Sequence, residues 1–141
     1  MNKPPATLEE LERRYSDMIG LVPPKIAKRL KLGLEVDPDV VTALEDWRIA
    51  ALTPQALDQK TVQLMSFAIL LVQTSDAAAN HARAAIKVGA TLQELHASAA
   101  IAALFRGVAA FNLAGEILST LFPEGAEGRA SGVSVAPGKG K

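Results

Sequence analysis

The chain contains no cysteine. That excludes a disulfide framework, a thiolate zinc site and any thiol redox chemistry carried by its own residues. Histidine is nearly absent too: only His81 and His96 occur, which argues against an all-imidazole metal site, and no metal or other cofactor is expected. Aromatic residues make up only 4% of the 141 residues. Neither charge dominates, because 15 Lys and Arg balance 15 Asp and Glu. The basic footprint of a nucleic-acid binder is therefore missing. Apolar runs such as Phe67–Val72 are far too short to span a bilayer, and the start MNKPPATLEE lacks the apolar stretch of a signal peptide. The expectation is a cytoplasmic protein with neither nucleic acid nor membrane as partner. Glycine-rich phosphate loops, Gly-x-Ser-x-Gly and His-Glu-x-x-His are also absent.

What the chain does have is alanine, about 25 residues of it. Alanine is the best helix former, and its small side chain lets helices approach closely. The length fits one domain with a modest core, for which partner subunits can bury further surface. Residues 7–122 read as helices joined by short turns, with residues 1–6 as a flexible N-terminus. Residues 123–141, rich in Gly, Ala, Ser and Pro, read as a flexible tail.

Helix boundaries are written plainly. Thr7-Leu8-Glu9-Glu10 and Thr91-Leu92-Gln93-Glu94 both have the form of a capping box. Asp37-Pro38-Asp39 places a cap, a first-position proline and a first-turn acid in order. Gly20, Gly89 and Gly107 stop helices, and Pro23-Pro24, Thr53-Pro54 and Phe122-Pro123 mark further breaks. The segment from Asp58 to Gln73 is apolar almost all round, as suits a central helix. Thr74 or Ser75 is expected to cap the next helix, from Asp76 to Val88. The helix after Asp37 carries Val40, Val41, Leu44, Trp47, Ile49 and Leu52, mostly at three- and four-residue spacing. The expected fold is all-α, one domain of about six to seven helices.

Few residues are candidates for chemistry. His81 lies mid-helix with Ala77, Ala78, Ala84 and Ala85 one turn away on either side. Two readings fit it: a paired histidine in a core or interface, or a general acid/base facing a pocket. His96 reads as a solvated residue. Glu45 and Asp46 adjoin Trp47 and Arg48. An acid beside Trp47 can be desolvated and raised in pKa, but the preferred reading is a solvent-facing pair of Glu45 with Arg48. Arg83 and Arg106 offer planar donor forks suited to a carboxylate. Asn112 and Glu116 share one face of the last helix and read as a structural pair.

From Lys60 to about Leu118 the chain resembles the carboxymuconolactone decarboxylase family, which includes the alkylhydroperoxidase D-like proteins. The resemblance rests on Lys60-Thr61-Val62-Gln63-Leu64, His81-Ala82-Arg83-Ala84-Ala85, Gly89-Ala90-Thr91-x-x-Glu94-Leu95 and Gly107-Val108-x-Ala110-x-Asn112. It implies an alkylhydroperoxidase D-like helical domain that assembles into a ring-like homo-oligomer, a trimer or hexamer. The peroxidase branch carries a Cys-x-x-Cys pair where Thr74 and Ala77 stand here, and a Glu where this chain has Val62-Gln63. Without thiolates that reaction has no nucleophile. The chain is similar to the decarboxylase branch instead, although Ala109 replaces a usual Pro and Arg106 replaces a smaller or uncharged residue.

The resemblance implies a cofactor-free enzyme acting on a small acidic or lactone substrate, a lactone or an oxo-acid. His81 would be the catalytic proton donor, Arg83 or Arg106 would hold carboxylates, and Asn112 would polarise a carbonyl. The alternative is a catalytically silent, oligomeric family member that binds a small ligand.

Overall fold

A computed structural model describes residues 4–126. The readings of residues 1–3 and 127–141 lie outside the described residues. The described chain forms seven helices: α1 (Leu8–Ile19), α2 (Pro24–Val36), α3 (Pro38–Leu52), α4 (Gln59–Val72), α5 (Ala78–Lys87), α6 (Leu92–Arg106) and α7 (Val108–Leu121). The fold is all-α, and no described helix is long and apolar enough to cross a membrane.

The predicted boundary signals are in place. At both capping boxes the threonine hydroxyl accepts from the backbone N–H three residues on, while the glutamate returns to the threonine N–H. Asp37 caps α3 by accepting from Val40 N–H, and Asp58 caps α4 by accepting from Thr61 N–H. Gly20 closes α1 in the left-handed region, at φ 91°. The start of α5 differs from expectation. It begins at Ala78 without a side-chain cap. Thr74 instead takes a left-handed conformation, φ 52°, which is costly for a β-branched residue. Its N–H and that of Ser75 donate to Leu71 O and Leu70 O, so the turn closes on backbone groups of α4.

Helix α4 is central and packs against α3, α5, α6 and α7. Its buried stripe runs Gln63, Phe67, Leu71 at four-residue spacing. Alanines let the neighbours close in: Ala78, Ala82 and Ala85 from α5, Ala99 and Ala102 from α6, Ala110 and Ala114 from α7. The opposite side of α4 is not covered within the chain, since Met65 and Ile69 are about half exposed. A second cluster joins Leu11, Tyr15 and Ile19 of α1 to Leu30 of α2, Val41 of α3 and Ala84 of α5. Ala6 is buried beside it, its N–H donating to Thr42 Oγ1 at 3.0 Å.

Helix α3 turns only part of its apolar set inward. Val41, Thr42 and Glu45 are buried, while Val40, Leu44 and Trp47 are exposed, Trp47 at 69%. The turn from α2 into α3 is tight: a methyl at Gly33 would collide with Val41 Cγ2. Gly33→Ala should therefore lower stability by about 1–3 kcal/mol despite alanine's better helix propensity. A urea unfolding midpoint equal to or above wild type would contradict this packing.

Candidate functional site

The polar interior is built on Glu45. Its carboxylate is fully buried. Tyr15 Oη donates to it from α1, at 3.0 and 2.9 Å from the two oxygens. Arg29 Nη2 donates from α2 at 2.5 Å and also to Tyr15 Oη at 2.9 Å. Arg48 Nε donates from one turn further along α3, at 2.9 Å, and its guanidinium lies 3.9 Å from the Tyr15 ring centroid. Burial by itself would raise the Glu45 carboxyl, but the hydrogen bonds and charges of Arg29 and Arg48 outweigh it and hold the group below the ordinary carboxylate range. Burial, together with the Glu45 charge, pushes the Tyr15 phenol up to about 12 despite the opposing arginines, so it remains a donor. The expected solvent-facing Glu45–Arg48 pair is thus corrected. Its carboxylate is an internal anchor joining three helices, because two guanidiniums and a phenol compensate the charge.

His81 faces this anchor from α5. Its Nδ1 lies 2.8 Å from Oε1 of Gln63, itself 1% exposed. An amide oxygen only accepts, so Nδ1 carries the proton and Nε2 keeps its lone pair. Burial, then the nearby Arg48 charge, lowers the His81 imidazolium to about 4. At neutral pH the ring is uncharged. Of the four alanines one turn from His81, Ala78, Ala84 and Ala85 are buried and Ala77 is half-buried. Gln63 was missed as a site residue. The available signal was its place four residues before Phe67, on what is otherwise the apolar stripe of α4.

A groove of about 420 Å³ opens over Gln63, with Arg14, Met18, Ile49, Ala84 and Lys87 among its walls. Arg14 is paired with Asp46 at 2.8 Å. The other expected site residues sit elsewhere on the single chain. Arg83 lines two grooves, one with Glu116 and Ile117, the other with Lys25 and Asn80. Arg106 and Asn112 are exposed at the end of α6 and in α7. His96 is exposed as expected, its ring centroid 5.6 Å from that of Phe111. Among the described residues no group of three or more His, Asp or Glu is arranged to hold a metal ion.

A scan against protein-family models matches residues 38–119 to the Carboxymuconolactone decarboxylase family. The chain belongs to this family. The matched segment begins with α3 and ends within α7, so the family portion contributes Glu45, Arg48, Gln63 and His81. Helices α1 and α2, which supply Tyr15, Arg14 and Arg29, precede it. Searches of curated proteins and of solved structures found no match.

The His81 environment gives a pH signature. A histidine whose folded pKa lies near 4 is neutral in the native state, whereas the unfolded chain protonates near 6.5. Its contribution is complete above pH 6.5 and is lost as pH falls toward 4, amounting to about 3 kcal/mol. Urea unfolding across that window should show this loss in wild type and a smaller one in His81→Gln; identical pH slopes would refute the assignment. Independently, Glu45→Gln leaves two guanidiniums without their carboxylate and should cost about 3–5 kcal/mol at pH 7. A change below about 1 kcal/mol in the same measurement would contradict the anchor role.

Proposed function

We propose that the protein is a cofactor-free lyase of the carboxymuconolactone decarboxylase kind, acting on a small lactone or oxo-acid. The observation carrying this reading is the His81–Gln63 pair, a neutral imidazole held through Nδ1 by a glutamine that itself lines a groove. Loss of carbon dioxide breaks a carbon–carbon bond and leaves its electron pair conjugated with a carbonyl as an enolate. A proton must then reach carbon, and the net reaction consumes one proton. His81 suits that task because it titrates without a metal.

The proposed proton-donor role begins from a neutral ring. In the free protein Nε2 is a base. An anionic ligand settling nearby raises the imidazole pKa, the ring takes a proton from solvent, and Nε2–H delivers it to the enolate carbon. A second reading, a silent ligand-binding family member, draws support from the exposed Arg106 and Asn112 and from Arg83 lining other grooves. Decarboxylation of 4-carboxymuconolactone, followed by ultraviolet absorbance, separates the two. Wild type should turn it over, and His81→Ala should lose about 10²-fold or more in kcat. No turnover by folded wild type favours the silent reading, and full turnover by the variant removes His81 from the chemistry.

Assembly belongs to the same proposal. Ile101, Leu104, Phe105 and Val108 are 61–80% exposed within one stretch at the α6–α7 junction. Such contiguous apolar surface marks an interface. A ring-like homo-oligomer, trimer or hexamer, would cover it and place Arg106 and Asn112 near a neighbouring copy. Leu104→Glu combined with Phe105→Glu should shift the mass found by light scattering toward the monomer. A monomeric wild type, or an unchanged oligomer in the variant, would count against the ring.

A further inference from the structure

Arg14, Arg48 and Arg83 are the half-buried arginines among the described residues. Two have carboxylate partners: Arg14 pairs with Asp46 at 2.8 Å and Arg48 with Glu45 at 2.9 Å. Arg83, on α5, makes no hydrogen bond or ion pair with any described residue. Of the acids that share its grooves, Asp76 is held by Lys25 at 3.4 Å, and Glu116 forms no ion pair with it. A guanidinium partly withdrawn from water is ordinarily met by an acceptor. Asn80, one turn earlier on α5, is in the same condition: it is half-buried, and its amide has no partner among the described residues. No polar atom of either side chain is among the fully enclosed ones, so both remain open to an incoming molecule.

Both residues line one groove of about 770 Å³, a size that suits a small ligand. Pro23, Pro24 and Ile26, at the start of α2, give it an apolar wall. The turn of Thr74 and Ser75 forms the opposite wall, tied to α4 through Leu71 O and Leu70 O. The first-turn N–H groups of α5 already donate to Ser75 O, Asp76 O and Ala77 O, so recognition falls to side chains and not to the helix terminus. With Lys25 and Asp76 paired, Arg83 is the uncompensated charge among the groove's lining residues.

We propose that the groove between α2 and α5 binds a small oxo-carboxylate. Arg83 takes the carboxylate, for which its planar donor fork is suited. Asn80 Nδ2 donates to the ketone oxygen, and the carbon chain lies along Pro23, Pro24 and Ile26. Three residues of helix separate the two side chains by about 4.5 Å along the axis. That spacing selects a γ-oxo acid, whose carboxylate and carbonyl stand about as far apart. This groove shares no lining residue with the one over Gln63. The inference therefore stands apart from the lyase reading and holds equally for a silent ligand-binding family member.

Isothermal titration of the full chain at pH 7 with 4-oxopentanoate, pentanoate and 2-pentanone tests it. The oxo-acid should bind about tenfold or more tightly than 2-pentanone, which lacks the charge, and about fivefold more tightly than pentanoate, which lacks the ketone. Arg83→Gln should weaken 4-oxopentanoate about tenfold or more. Asn80→Ala should bring 4-oxopentanoate down to the affinity of pentanoate. No binding of 4-oxopentanoate by folded wild type would overturn the proposal and leave Arg83 to water or to a carboxylate of a second copy. Equal binding of 2-pentanone, or an unchanged affinity in Arg83→Gln, would also overturn it. Lactone turnover without 4-oxopentanoate binding would remove this site and keep the lyase reading; binding without turnover would do the reverse.

Discussion

The buried carboxylate of Glu45 is the constraint on which the rest of the molecule depends. Removing such a group from water costs several kcal/mol, and the attraction of opposite charges compensates only when geometry is good and every oxygen is met. Here Tyr15, Arg29 and Arg48 supply that geometry from α1, α2 and α3. The carboxylate therefore fixes how the two N-terminal helices sit on the family segment. It also fixes where the Arg48 charge points, and that charge helps keep His81 neutral.

A second consequence runs through α3. Burying Glu45 requires the helix to turn that face inward, which leaves Val40, Leu44 and Trp47 outside. An ion-paired face has displaced an apolar one from the interior. Apolar groups of α3, α4 and the α6–α7 junction are exposed on the single chain. This agrees with a core lined by alanine, where close helix packing contributes more than large side chains.

Much of the fold was legible because helix ends announce themselves locally. Thr7, Asp37 and Thr91 act as the caps they signalled, and Gly20 and Gly107 stand at the expected breaks. The turn around Thr74 was legible only in part: Ser75 Oγ accepts from Ala77 N–H, but the bonds that close the turn on α4 run from backbone to backbone and leave no side-chain signature. His81 stood out as an isolated imidazole among alanines. Gln63 did not, since a glutamine in an apolar stripe carries no motif until its partner on another helix is known. Glu45 was hidden for the same reason. Its partners lie 30 residues away at Tyr15, 16 at Arg29 and one turn away at Arg48, and only the last is visible from spacing.

The account centres on a neutral His81 with its proton fixed on Nδ1 by the Gln63 amide. Nitrogen-15 chemical shifts and long-range couplings of the His81 ring at pH 7 read this directly. The predicted spectrum is that of the Nδ1–H tautomer in wild type, changing toward mixed tautomers in Gln63→Leu. An imidazolium at pH 7, or an Nε2–H tautomer untouched by that substitution, would contradict it.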